Sequence, residues 1–156
     1  MKISPEKLDE LIKIVHLAGI EIIKIYKKKV TKKYKSDNTP VTNADIRANN
    51  IICKGLKLHF PEVSIVSEEQ VKKGKAAKKF WLVDPLDGTK EFLKGNGEFT
   101  VNIGLIENKK PVFGIIYMPT KNKLYFTRDK KSYFSKLSKK GQPVSYTHLR
   151  AHETQR

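Results

Sequence analysis

Residues 81–92 read Trp-Leu-Val-Asp-Pro-Leu-Asp-Gly-Thr-Lys-Glu-Phe, and this stretch is the best guide to the fold and to the chemistry. An apolar run leads into two carboxylates three residues apart, Asp84 and Asp87, followed by a glycine. We expect Asp84 to lie at a strand end and Pro85 to turn the chain sharply, because proline fixes φ and removes a donor. Gly88 would let the backbone approach a ligand closely. The pattern predicts an oxygen-rich site at a strand end.

The residue types in and near this stretch favour a hard divalent cation. Carboxylates, carbonyl oxygens and phosphates are the ligands that Mg²⁺ prefers, and Glu68 and Glu69 lie upstream. A helix beginning at Thr89 would present free N–H groups to an anion. The alternative, a strand followed by an ordinary Asp-Gly turn, would explain an isolated Asp-Gly pair but not the whole run. We therefore predict a Mg-dependent phosphatase.

Two helices are predicted before this stretch. Ser4 is a suitable N-cap, Pro5 suits the first helical position, and apolar residues then recur at helical spacing as far as the lysines at 27–29. Residues 35–40 are typical of a turn. A second helix is predicted from Thr42 to about His59, ended by the following proline.

The rest of the chain is predicted to be mostly strands. Short apolar runs at 63–66, 80–83, 99–106 and 112–117, and an alternating run at 123–127, predict strands, with a hairpin connection at 108–110. Helices followed by strands indicate an α+β fold. We expect two helices packed on a mostly antiparallel sheet.

Composition limits the classes of protein that remain. The 156 residues suit one domain, and no apolar run approaches the roughly 18–20 residues that span a bilayer. The single cysteine, Cys53, excludes an intrachain disulfide and favours a cytoplasmic protein, and a membrane-peripheral location through the lysines is an alternative. The net charge of +16 is spread over scattered lysine pairs with few interleaved aromatics, so we do not expect nucleic-acid binding.

The last residues raise a separate question. Residues 144–154 match the translation of a sequencing-adapter DNA, so we expect residues 143–156 to be a non-native tail. In that case residues 1–142 are one lobe of a longer protein. The alternative is a genuine polar tail. His148 and His152, spaced four apart like helix-borne metal ligands, are discounted on this interpretation.

The stretch at 84–92, together with residues 37–45, 67–69 and 96–103, resembles the lithium-sensitive, Mg-dependent phosphatase family. That family includes inositol monophosphatases, fructose bisphosphatases and 3'(2'),5'-bisphosphate nucleotidases. The sequence around Glu91 is similar to the nucleotidase branch, because inositol phosphatases usually have asparagine there. The resemblance covers residues 8–128 and implies a layered α/β sugar-phosphatase-type fold.

The resemblance implies a role for each matched residue. Glu68, Asp84 and the Leu86 carbonyl would hold one Mg²⁺, and Asp84 and Asp87 would share a second. Thr89 would position the attacking water with Asp45, which would serve that water or a third ion. Substrate phosphate would contact Glu68, Asp87, Gly88 and Thr89. The family's further metal-ligating aspartate lies in a C-terminal lobe, and no matching motif follows Tyr125.

Several of these residues also have a purely structural interpretation. Asp45 lies three residues after Thr42 and would suit a capping box. Glu69 would suit a solvated neighbour of Glu68, Asp37 a turn residue, and Cys53 a small core residue.

The function implied by the resemblance is removal of the 3'-phosphate of adenosine 3',5'-bisphosphate, giving AMP and phosphate. The partner would be this small nucleotide bisphosphate, and the sequence does not indicate an oligomeric state. A phosphatase for inositol or sugar phosphates is an alternative within the same chemistry. A non-catalytic, basic polyanion-binding module is a further alternative that rests on the charge alone.

Overall fold

The computed structural model describes residues 2–32, 39–68 and 77–149. In chain order the elements are α1 (Pro5–Lys32), α2 (Thr39–His59), β1 (Ser64–Ser67), β2 (Lys79–Asp87), α3 (Thr89–Lys94), β3 (Thr100–Glu107), β4 (Lys110–Met118), β5 (Lys123–Arg128), β6 (Lys131–Lys136) and β7 (Thr147–Leu149). The strands form one sheet in the order β1 to β7, antiparallel except for the parallel pair β1–β2. The predicted α+β class with a mostly antiparallel sheet is confirmed.

The first helix agrees with its sequence pattern. Ser4 Oγ accepts a hydrogen bond from the Lys7 backbone N–H (3.3 Å), as an N-cap should, and Pro5 is the first helical residue. The helix ends at Lys32, a few residues beyond the predicted end. In the part of the chain that the structure describes, no helix is long and apolar enough to cross a membrane.

The second helix begins earlier than predicted. It starts at Thr39 and not at Thr42, so Pro40 lies in its first turn, where a proline leaves no hydrogen bond unmade. The prediction of a turn through Pro40 is wrong at that end, and residues 33–38 lie outside the described residues. Because Thr42 is inside the helix, it is no N-cap, and the capping-box interpretation of Asp45 is also wrong.

The sheet contains every predicted strand and two that were not predicted, β6 and β7. The predicted hairpin connection is a two-residue turn in which Asn108 and Lys109 both have positive φ (51° and 64°), as type I′ turns require. The larger correction concerns β2, which continues through Pro85 to Asp87. The chain does not turn at the proline, and Asp84 lies within the strand.

The core lies between the two long helices and one face of the sheet. Trp81 is fully buried there, in edge contact with Phe60 (ring centroids 5.0 Å apart) and Phe113 (6.2 Å). Residues on the opposite face are more exposed, including Leu82 and Ile116 at 48% and 45%. Only one face of the sheet is therefore covered by the described helices.

The last strand involves residues that were predicted to be non-native. Thr147–Leu149 pairs with β6, opposite Ser132–Phe134, but all three of its residues are exposed. His148 lies in this strand and not on a helix, and His152 lies outside the described residues. The interpretation of residues 143–156 as a non-native tail stays a prediction.

Candidate metal centre

A β-bulge in β2 brings the two aspartates to one face of the sheet. Asp84 pairs with Asn102 of β3 and Asp87 pairs with Thr100, so three steps along β2 match two along β3. In a regular strand, residues three apart point to opposite faces, and one extra residue puts them on the same face. Pro85 fits inside this bulge because its missing N–H removes no ladder hydrogen bond there. Both carboxylates therefore belong to the face away from the helices.

The parallel pairing of β1 with β2 adds a third carboxylate. Ser67 is in register with Val83, so Glu68, the next residue, lies beside Asp84. Glu68 is exposed at the end of the strand. The predicted ligands Glu68, Asp84 and Asp87 are thus brought together by one parallel register and one bulge.

The electrostatics of Asp84 reflect this crowding. The pKa of Asp84 is raised from 3.8 to about 6. Partial burial is the largest cause, and the negative charges of Asp87 and Glu68 are the next. The Leu86 backbone N–H donates a hydrogen bond to the Asp84 carboxylate and opposes the shift. A bound cation would relieve the repulsion that disfavours the ionised form.

A buried hydrogen-bond network fixes the strand end that carries Glu68. Ser67 Oγ donates to Asn49 Oδ1 (2.6 Å), and Cys53 Sγ donates to the same oxygen (3.4 Å). Asn49 and Ser67 are 3% and 1% exposed, so these bonds are shielded from water. Asn49 lies one turn after Asp45 on α2 and was not identified from the sequence, because its role depends on how the helix meets β1.

Glycine and an aromatic cluster determine how the chain leaves the site. Gly88 has φ +92°, and its carbonyl accepts the Phe92 backbone N–H (2.9 Å), the first turn of α3. Phe92 is fully buried against Tyr26 and Phe99, with ring centroids 5.4 and 5.2 Å away. The helix predicted from Thr89 is confirmed, and Thr89 is exposed at its start.

For the other predicted residues the structure gives the position and burial of some and does not describe the rest. Asp45 is half-buried on α2, which packs against α3, and its catalytic role stays a prediction. The Leu86 side chain is buried, and the ligand role of its carbonyl also stays a prediction. Cys53 is buried, and burial raises the pKa of its thiol, which suits a core residue and not a nucleophile. Glu69 and Asp37 lie outside the described residues.

These residues fit Mg²⁺ better than a cation that needs a complete protein cage. Among the described residues, no three acidic, histidine or cysteine side chains converge closely enough to hold an ion unaided. Mg²⁺ is usually bound by one or two carboxylates, with waters and substrate phosphate completing its octahedron. Burial is the main cause of the raised pKa of Asp84, and the charges of Asp87 and Glu68, which such an ion would neutralise, contribute next.

Comparison with known proteins agrees with this geometry. The model of the inositol monophosphatase family matches residues 5–154. The chain belongs to this family. The family resemblance drawn from the sequence motifs is therefore confirmed.

Individual relatives indicate one branch of the family. The chain is 50% identical over 123 residues to the 3'(2'),5'-bisphosphate nucleotidase CysQ of Buchnera aphidicola subsp. Acyrthosiphon pisum, covering 76% of this chain and 46% of that protein. It is 43% identical over 131 residues to CysQ of Escherichia coli K12, covering 81% and 53%. The crystal structure of CysQ from Bacteroides thetaiotaomicron superposes with a TM-score of 0.67 at 37% identity, covering 83% and 50%. The chain thus spans about half the length of the relatives it matches.

Proposed function

We propose that the full-length protein is a Mg²⁺-dependent 3'(2'),5'-bisphosphate nucleotidase. It removes the 3'-phosphate of adenosine 3',5'-bisphosphate and releases AMP and phosphate. The observation that carries the proposal is the bulge that gathers Asp84 and Asp87 on one sheet face beside Glu68. The choice of substrate is supported by the CysQ relatives, which are named as 3'(2'),5'-bisphosphate nucleotidases.

In this proposal different residues of the chain bind the metal ions, the attacking water and the phosphate. Asp84, Glu68 and the Leu86 carbonyl hold one Mg²⁺, and Asp84 and Asp87 share a second, with Asp45 available to a third. Bound Mg²⁺ supplies charge neutralisation at the phosphoryl oxygens and lowers the pKa of water at the site. The Thr89 hydroxyl would orient the attacking water, and the Asp45 carboxylate would accept its proton. The backbone N–H groups of residues 88 and 89 receive the phosphate oxygens.

The metal-binding half needs a second lobe to complete the enzyme. We propose that residues 1–142 form the metal-binding lobe and that a C-terminal lobe in the full-length protein covers the sheet face opposite the helices. The exposed Leu82 and Ile116 on that face and the half-length match to the relatives support this arrangement. In the same proposal residues 143–156 are non-native, and one long sequencing read across the codon for Gln142 tests that statement.

Phosphate release by the full-length protein tests the function directly. With Mg²⁺ present, we expect kcat/KM for adenosine 3',5'-bisphosphate to exceed that for inositol 1-phosphate at least ~100-fold, about 2.7 kcal/mol in transition-state binding. Omission of Mg²⁺ should reduce both rates to background. Faster turnover of inositol phosphate would overturn the nucleotidase proposal in favour of the inositol or sugar phosphatase, and absence of hydrolysis of either would overturn both.

A further inference from the structure

Asn102 in β3 lies between the two aspartates of the bulge. It is the cross-strand partner of Asp84, and its Nδ2 donates a hydrogen bond to Asp87 Oδ2 (3.0 Å). Residues directly opposite in an antiparallel pair have Cβ atoms ~5 Å apart, so one side chain adjoins both carboxylates. The contact exists only because the bulge turns Asp87 to the face that Asn102 occupies.

The oxygen of the same amide also bears on the role of Asn102. Asn102 Oδ1 is buried and has no hydrogen-bond partner within the described residues. A buried carbonyl oxygen without a partner is destabilising, so a side chain that needed only to fill space would be better replaced by an apolar one. The hydrogen-bonding role that the structure gives this amide is carried by its donor nitrogen, which holds Asp87.

A neutral donor is the group that suits this position. A lysine at position 102 would neutralise Asp87 and compete with a cation for it. A fourth carboxylate there would add to the repulsion at Asp84 and could not donate to Asp87. An amide holds one oxygen of the Asp87 carboxylate while leaving its full charge and its other oxygen for a ligand. Asp87 is otherwise exposed, and a free aspartate side chain would lose rotamer freedom on binding.

We propose that Asn102 is a positioning residue of this centre: it holds the Asp87 carboxylate in the orientation in which that group binds a divalent cation. The inference rests on the proposed function for the identity of the ligand site, and it adds a residue to which the family resemblance gave no role. Asn102 acts through Asp87 and does not itself touch substrate. Partners that orient ligating side chains typically change metal affinity 10–100-fold.

Isothermal titration of the full-length protein with Mn²⁺ measures this effect without catalysis. We expect Asn102→Leu, which keeps the branching and the number of heavy atoms and removes the donor, to weaken Mn²⁺ binding at least ~10-fold. Thr127→Val is the control, because it removes a side-chain hydrogen bond of similar length, from the Gly114 N–H (2.9 Å), on β5. The control should bind Mn²⁺ within ~2-fold of the wild type even if both variants melt at lower temperature.

A double-mutant cycle separates positioning from general loss of structure. In an Asp87→Ala background, Asn102→Ala should change Mn²⁺ affinity less than ~2-fold, because the carboxylate it orients is gone. Equal weakening in both backgrounds, or wild-type affinity in Asn102→Leu and Asn102→Ala, would overturn the proposal. In the full-length enzyme Asn102→Ala should raise the Mg²⁺ concentration for half-maximal activity and leave kcat at saturating Mg²⁺ near the wild-type value. A full-length wild-type protein that binds no Mn²⁺ would overturn the metal centre as well, whereas binding that is indifferent to Asn102 overturns this inference alone.

Discussion

Asp84→Asn should lower phosphate release by the full-length protein at least ~10³-fold, which corresponds to about 4 kcal/mol of transition-state stabilisation. The substitution conserves volume and removes the charge that lies between Asp87 and Glu68. The matched control is Asp129→Asn, which removes a carboxylate paired with Lys2 (3.2 Å) in the turn between β5 and β6. That control should retain wild-type turnover. Activity of Asp84→Asn within ~10-fold of the wild type would show that Asp84 is no metal ligand.

The same variant should have the opposite effect on metal-free stability. The pKa of Asp84 is about 6 in the folded chain, above its ordinary value of 3.8, so between these values the folded state binds more protons than the unfolded state. Stability therefore falls as pH rises from about 4 to about 6, and the full penalty remains at pH 7. After solvent screening we expect Asp84→Asn to gain on the order of 1–2 kcal/mol at pH 7 without divalent cations.

Thermal melts from pH 4 to pH 8 with chelator present measure this difference. Burial lowers the pKa of His16, so its titration makes the folded state more stable as pH rises over a similar range. This contribution is the same in the wild type and in Asp84→Asn, and it cancels when their stabilities are compared. The gain of Asp84→Asn should vanish near pH 4, and saturating Mg²⁺ should reverse the order at pH 7. A stability difference independent of pH would contradict the electrostatic origin.

Gly88→Ala should be the most disruptive single methyl addition near the site. A Cβ at position 88 would lie 2.8 Å from the Glu98 carbonyl oxygen and 3.2 Å from Phe99 Cα, both of which are backbone atoms that cannot move aside cheaply. The φ of +92° adds strain for any residue with a Cβ. We expect a loss of about 2–4 kcal/mol in the free energy of unfolding and a Tm lower by roughly 10 °C.

Gly114→Ala provides the control for this substitution. Among the described residues, no atom beyond the chain neighbours of Gly114 lies within 4 Å of its Cβ position, so alanine there should change stability by less than ~0.5 kcal/mol. Gly88→Ala should also weaken Mn²⁺ binding, because the segment after Asp87 would shift. Unchanged melting and binding in Gly88→Ala would show that the turn after β2 is not constrained as described.

The helices and most strands were predictable because periodicity alone specifies them. The N-cap at Ser4 and the alternation at Lys123–Arg128 are local signals that tertiary packing reinforced. The start of α2 was misplaced because Pro40 suits a turn and a first helical turn equally well. Strand β6 escaped detection because its buried positions are few and its flanking turn at Asp129 and Lys130 contains no glycine.

The candidate ligands were predictable from motif and chemistry, but their geometry was not. Asp84 and Asp87 are three apart, and sequence spacing suggests opposite faces for a continuous strand. The expected turn at Pro85 was a plausible way to bring them together, and the structure uses a bulge instead. A bulge depends on the register with a partner strand, which local sequence does not encode.

Residues that act through long-range register were the hardest to identify. No local sequence pattern distinguishes Asn102 or Asn49. Asn102 on β3 bonds to Asp87 on the neighbouring strand β2, and Asn49 on α2 bonds to Ser67 on β1. Both contacts depend on the tertiary fold and not on neighbouring residues in the sequence.

Crystals of the full-length protein soaked in Mn²⁺, measured at a wavelength where manganese scatters anomalously, test the metal centre most directly. We expect an anomalous peak in contact with the carboxylates of Asp84 and Asp87 on the sheet face beside Glu68, and loss of that peak in Asp84→Asn. A peak confined to other residues, or none at these carboxylates at saturating Mn²⁺, would contradict the assignment of this bulge as the metal site.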